Sequence, residues 1–126
     1  MKSKFLLVLL SVAGLMLGVQ SALAASTAVR EMAEVMMNLS HYPSDTDKAK
    51  LSYIVADKGS TEDERVIATA ISHLEHKVAA ADVDKLKQVM GDMSAPSEVR
   101  DLAGIVLNVN HYASAADKRK LEMMVK

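Results

Sequence analysis

The stretch Leu102-Ala103-Gly104-Ile105-Val106-Leu107-Asn108-Val109-Asn110-His111 decides the fold of this chain. Its apolar residues Leu102, Ala103, Ile105, Val106 and Val109 recur at i, i+1, i+3, i+4 and i+7. That is the spacing of a wide apolar stripe on a helix that meets neighbours on more than one side. The same pattern stands 35 residues earlier as Ile67, Ala68, Ala70, Ile71 and Leu74, and another 35 earlier as Met32, Ala33, Val35, Met36 and Leu39.

The offset holds beyond the stripe. It superposes Arg30, Arg65 and Arg100; Ala33, Ala68 and Ala103; His41, His76 and His111; Asp47, Asp82 and Asp117; Lys50, Lys85 and Lys120; and Leu51, Leu86 and Leu121, without a gap. Copies one and three also share Asn38/Asn108, Tyr42/Tyr112, Ser44/Ser114 and Lys48/Lys118. A second, narrower stripe follows each first one: Leu51, Ile54, Val55; Leu86, Val89, Met90; Leu121, Met124, Val125. Each copy therefore decodes into a wide-striped inner helix and a more solvated outer one. The expected fold is all-α: three tandem 35-residue helical hairpins (25–59, 60–94 and 95–126) in a short α-solenoid, a right-handed superhelical stack. The alanine column would let neighbouring helices approach closely.

Helix boundaries carry their own chemistry. Ser44-Asp45-Thr46-Asp47 and Ser114-Ala115-Ala116-Asp117 place a hydroxyl at an N-cap and a carboxylate three residues on. Ser60-Thr61-Glu62-Asp63 is read the same way for the first helix of copy two. Gly59 and Gly91 mark the ends of second helices, Pro96 suits a first turn, and Pro43 punctuates the first hairpin.

Residues 1–24 read as a secretory signal peptide: Lys2 and Lys4, an apolar run from Phe5 to Leu17, then Ala22-Leu23-Ala24 before the cut. The run is short of the ~20 residues a membrane-spanning helix needs. A single domain over 25–126, periplasmic or secreted and without stable membrane insertion, is expected. Without Lys2 and Lys4, 13 basic side chains face 16 acidic ones, a net charge of −3 that offers no footprint for nucleic acid. Cysteine is absent, which excludes a lipid-anchored lipoprotein, disulfide stapling, c-type haem and thiolate-held iron–sulfur clusters. Beyond residue 24 the only aromatic residues of the Phe, Trp and Tyr class are three tyrosines, so the core must be aliphatic and methionine-rich.

Ser97-Glu98-Val99-Arg100, followed by Ala103 and Val106, resembles the core of HEAT-type repeats, especially the short lyase-associated kind. Asp57 and Asp92 precede Arg65 and Arg100 as the acid of that pattern would. The likeness covers about half of each unit; the acid-to-arginine spacing is longer here, and copy two has Glu64-Arg65 in place of Val-Arg. It implies a binding scaffold rather than a reaction.

Among residues able to carry chemistry, the histidine column comes first. Units of an open stack lie roughly 10 Å apart, too far for neighbouring imidazoles to share a metal at a ligand distance of about 2 Å. Capping of helix C-termini is therefore the expected role of His41, His76 and His111. His73 and His76, at i and i+3, are the metal candidates, with no third ligand identifiable. The arginines sit near positive helix ends and need acids, Asp57 for Arg65 and Asp92 for Arg100. Asp45, Asp47, Asp82 and Asp84 lack EF-hand spacing and read as helix-start acids. Met32 and Met36 fall on the stripe; Met37, Met93 and Met123 fall off it.

Nucleophile elbows, zinc-protease motifs and phosphate loops are missing. The expectation is a non-enzymatic, cofactor-free interaction module that binds a protein or peptide through a helical-repeat face. His41, His76, His111, Tyr42 and Tyr112 are its candidate partner surface, since copy two differs there by carrying Lys77. The alternative is a small periplasmic metal-binding or stress protein using His73, His76 and methionines. Self-association through the uncapped last hairpin is a further expectation.

Overall fold

Six helices account for most of residues 25–126, the part of the chain described by its computed structural model: α1 (Thr27–Met37), α2 (Asp45–Ala56), α3 (Glu62–Ser72), α4 (Ala80–Met90), α5 (Ser97–Asn108) and α6 (Ala115–Val125). The expected signal peptide, 1–24, lies outside the described residues. Among those described there is no extended strand, and no helix is long and apolar enough to cross a membrane.

Local chemistry sets the helix starts. Ser44 Oγ accepts from the Asp47 amide and Ser114 Oγ from the Asp117 amide, both at 3.1 Å, as the sequence predicts. In copy two the cap is one residue later than expected. Thr61, not Ser60, caps α3, and Glu64 returns a bond to the Thr61 amide in a full capping box. Ser60 instead turns inward and donates to the Ile54 carbonyl. Ala79 has no hydroxyl to cap α4. Gly91 is the C-cap of α4, and Pro96 stands at the N-cap of α5, one position ahead of its first turn.

All fifteen residues of the three wide stripes are buried. Each second helix buries only two of its three stripe residues, leaving Val55 and Met90 exposed and Val125 half-buried. At about 1.5–3 kcal/mol per large apolar side chain removed from water, α1, α3 and α5 supply most of the apolar stabilisation. They contact one another at the centre, with α2, α4 and α6 outside.

The expected open stack is not what forms. The extensive packing runs from the second helix of one copy to the first helix of the next, α2 on α3 and α4 on α5, and the series is completed by α6 on α1. The helices within a copy touch much less, so the sequence repeat and the packing unit are out of phase by one helix. The physical reason lies in the end copies. An open solenoid needs terminal units with a polar outer face, but copies one and three carry full apolar stripes. Closing the ring lets those stripes cover each other, giving three copies about a pseudo-threefold axis.

Candidate functional site

Closure brings the histidine column to one point. Helices α1, α3 and α5 end at Met37, Ser72 and Asn108, and each chain then buries one more apolar residue, Leu39, Leu74 or Val109. Next comes a three-residue turn with histidine at its tip, whose flanking residues bridge each other: Ser40 with Tyr42, Glu75 with Lys77, Asn110 with Tyr112. The tip residues have φ of 72°, 70° and 73° at His41, His76 and His111, the only positive values at non-glycine positions among the described residues.

The three tips hold one another through the backbone. His41 N–H donates to the His111 carbonyl, His111 N–H to the His76 carbonyl and His76 N–H to the His41 carbonyl, each at 2.6 Å. This cyclic triangle uses one donor and one acceptor per copy, and it fixes the three α-carbons around the axis. The imidazoles gather with it: ring centroids are 5.0 Å apart for His41 and His76, 5.0 Å for His41 and His111, and 4.8 Å for His76 and His111. The expected separation of about 10 Å, and with it the expected helix-capping role, is corrected by closure. None of these rings bonds a helix-terminal carbonyl; they face each other.

His41 and His76 are exposed and His111 half-buried. Asn110 Oδ1 lies 2.9 Å from His111 Nδ1, and Ser40 Oγ lies 3.2 Å from His41 Nδ1. Tyr42 and Tyr112, next in the chain, are more than half exposed, and the Lys118 ammonium lies 5.6 Å from the Tyr112 ring centre. The five residues expected to form a partner surface thus share one end of the bundle, the apex. As the rings stand, His76 and His111 are stacked within 13° of parallel and His41 is edge-on to both. Among the described residues, no three histidine, aspartate or glutamate side chains form a ready-made metal site in these orientations.

The pair His73 and His76 is not a paired unit. His73 Nδ1 lies 2.9 Å from Oδ2 of Asp82, a buried carboxylate, while His76 belongs to the triangle. Both line a groove of about 630 Å³ with Tyr42 and Lys48. The His73–Asp82 contact is hidden in the sequence pattern, where Asp82 falls in a column of helix-start acids. The available signal was local: copy two alone lacks a capping serine, at Ala79, and alone has histidine where the others have Asn38 and Asn108.

Neither Arg65 nor Arg100 closes an ion pair with its expected carboxylate, although Asp92, lowered chiefly by hydrogen bonds from Ser94, is lowered further by the charge of Arg100. Arg65 Nη2 donates to the Asp57 main-chain carbonyl at 3.0 Å, with the Glu62 carboxylate 3.8 Å away. Arg100 Nη1 meets the Met93 sulfur at 3.6 Å, and its buried Nε has no hydrogen-bond partner. At the end opposite the apex, Glu64 is buried and accepts from Ser26 Oγ at 2.5 Å, tying the N-cap of α1 to that of α3. Asp63 and Asp92, both in copy two, bring their carboxyls together, and a hydrogen bond joins them while one of the two holds a proton. Partial burial, then that bond and the charge of Asp92, raise the Asp63 carboxyl to about 6. Hydrogen bonds from Ser94 lower Asp92.

Compared with known protein families, curated proteins and solved structures, the chain matches none.

Proposed function

We propose that this chain is an exported, non-enzymatic binding protein whose working surface is the apex formed by His41, His76, His111, Tyr42 and Tyr112. One observation carries the reading. Each copy places histidine at a turn tip with φ near +70°, a backbone region that glycine occupies without penalty and that costs other residues about 1–2 kcal/mol. Three such positions occupied by imidazole, side by side and largely exposed, are a cost that folding alone does not call for, and strain of this kind gathers at functional sites.

The flanking tyrosines strengthen it. Tyrosine offers a large contact area with few rotatable bonds and is enriched where proteins meet. The resemblance to HEAT-type repeats points the same way, towards a scaffold that binds a protein or peptide. The signal-like segment 1–24 would place that encounter in the periplasm or outside the cell.

A comparative capture experiment tests the reading. Mature protein and the double variant Tyr42→Ala/Tyr112→Ala are immobilised in parallel and exposed to periplasmic extract. A partner retained by the first and lost from the second is expected. Identical retention by both, or retention by neither, would remove the apex as a partner-binding surface.

A further inference from the structure

We propose that the apex binds one divalent d-block metal ion through Nε2 of His41, His76 and His111. The inference rests on the reading of the apex as the working surface and names the ligand class it takes.

Distance is the first argument. Imidazole nitrogen binds zinc at about 2.0–2.1 Å, which puts ring centres about 3.2 Å from the ion and, at tetrahedral angles, about 5 Å from each other. The three centroids already stand 4.8 to 5.0 Å apart. What is missing is ring orientation, because two stacked rings cannot both aim a lone pair at one ion. Side-chain rotation supplies it: exposed rotamers interchange in picoseconds to nanoseconds, and the backbone triangle keeps the α-carbons in place while they do.

The second argument is the shell behind the rings. A metal-binding histidine commonly donates its other ring N–H to an acceptor, which fixes the tautomer and aims the ligating nitrogen. The residue before each histidine has an acceptor: Asn110 Oδ1 is 2.9 Å and Ser40 Oγ 3.2 Å from Nδ1, and Glu75 holds the same place before His76. As the rings stand, Nδ1–H of His41 and His111 can donate to these groups, which leaves Nε2 as the lone-pair nitrogen; the turn that aims both at one ion must carry the exposed Ser40 and Asn110 side chains with it.

Ligand chemistry narrows the ion. Three neutral imidazoles suit zinc, copper, nickel or cobalt, whereas calcium and magnesium require oxygen donors. Three ligands leave a position of a tetrahedral shell open, and at this exposed apex a donor from a partner can fill it.

The test uses untagged mature protein, titrated calorimetrically with zinc, copper and nickel chlorides and optically with cobalt chloride. One ion per chain is expected. His41→Gly, His76→Gly and His111→Gly should each weaken binding on the order of a hundredfold, and Asn110→Leu about tenfold. His73→Gly should leave affinity unchanged, which separates this site from a His73–His76 pair. Glycine is chosen at the three tips because it accepts their positive φ and keeps the fold, with circular dichroism as the check on all four variants. Absence of stoichiometric binding, binding indifferent to the three glycine variants, or binding lost in His73→Gly would each overturn the proposal. Capturing the partner with and without EDTA separates the two readings. Tyrosine-dependent capture by a protein that binds no metal overturns the metal site alone. Metal binding without tyrosine-dependent capture overturns only the partner surface.

Discussion

The amide of His41 donates to the carbonyl of His111 across 2.6 Å, joining the first copy of the repeat to the last. Residues 70 positions apart in sequence thus stand in the same relation as neighbours 35 apart, since His76 donates to His41 and His111 to His76 at the same distance. A linear array has two ends that lack this relation; a ring has none. The apex and the closure are therefore one feature. The histidines can meet only because α6 packs on α1.

Backbone strain at the tips gives a test of whether the rings serve the fold. Replacing His76 by glycine relieves a positive φ while removing one stacked ring, so stability should stay within about 1 kcal/mol of the parent. Alanine removes the ring without the relief and should therefore be about 1–2 kcal/mol less stable than the glycine variant. Urea denaturation gives both values. A loss above about 3 kcal/mol in His76→Gly would make the imidazole cluster a structural element in its own right.

Much of this was legible in the sequence. The six identical columns locate the helices, and the stripe residues Met32 through Val109 name the inner core correctly, because burial follows directly from a period of 3.6. Closure was not written in any single copy. A repeat specifies the contact between one unit and the next, and the same contact builds a stack or a ring according to a small rotation per unit. The clue lay in Val29, Leu121 and Met124, end-copy residues that an open stack would leave wet and that are buried here. The separation of His41, His76 and His111 depends on that same rotation and not on spacing, so the sequence pattern alone does not bring them together.

The Ser26–Glu64 link at the opposite end should be strongly coupled. Glu64 is buried, caps α3 through Thr61 and accepts from Ser26 of copy one. Ser26→Ala leaves a buried carboxylate oxygen short of a donor and should cost about 1–3 kcal/mol. Because Glu64 is then the group left unpaired, Ser26→Ala should cost less in a Glu64→Val background, valine being what copies one and three carry at Val29 and Val99. A double-mutant cycle by urea unfolding measures the difference. Equal cost in both backgrounds would show that the link contributes nothing beyond its parts.

The Asp63–Asp92 pair predicts a pH dependence with a defined sign. Asp63 binds its proton more tightly in the folded chain, near 6, than in the unfolded one, near 3.8. Over that interval the folded state holds more protons, so this group makes stability fall as pH rises from about 4 to about 6. Asp63→Asn removes the penalty. The variant should be more stable than the parent at pH 7.5, with the advantage shrinking as pH drops through 6 towards 4. Thermal melts across that range provide the check, and an advantage independent of pH would assign the effect to packing instead.

The ring can be cut and rejoined. Helices α2 and α3 are joined by residues 57–61 and α4 and α5 by 91–96, while the equivalent pair α6 and α1 has no connection between its ends. Ala25 lies beside Met123 and Met124 at that seam. Linking Lys126 to Ala25 through two or three glycine and serine residues reproduces a natural connector once Lys126, Ala25 and Ser26 are counted. Opening the chain at Gly59 then moves the seam without removing a packing contact. This permutant, running from 60 through 126 to 25–59, should fold cooperatively, within about 1–2 kcal/mol of the parent. Deleting residues 115–126 should instead abolish the cooperative transition, because it uncovers the face of α1 that Leu121 and Met124 help to cover. In an open stack the order reverses: the truncation only shortens the array, and the permutant fails because its linker has no gap of that size to bridge. Circular dichroism melts of the two proteins decide between ring and stack.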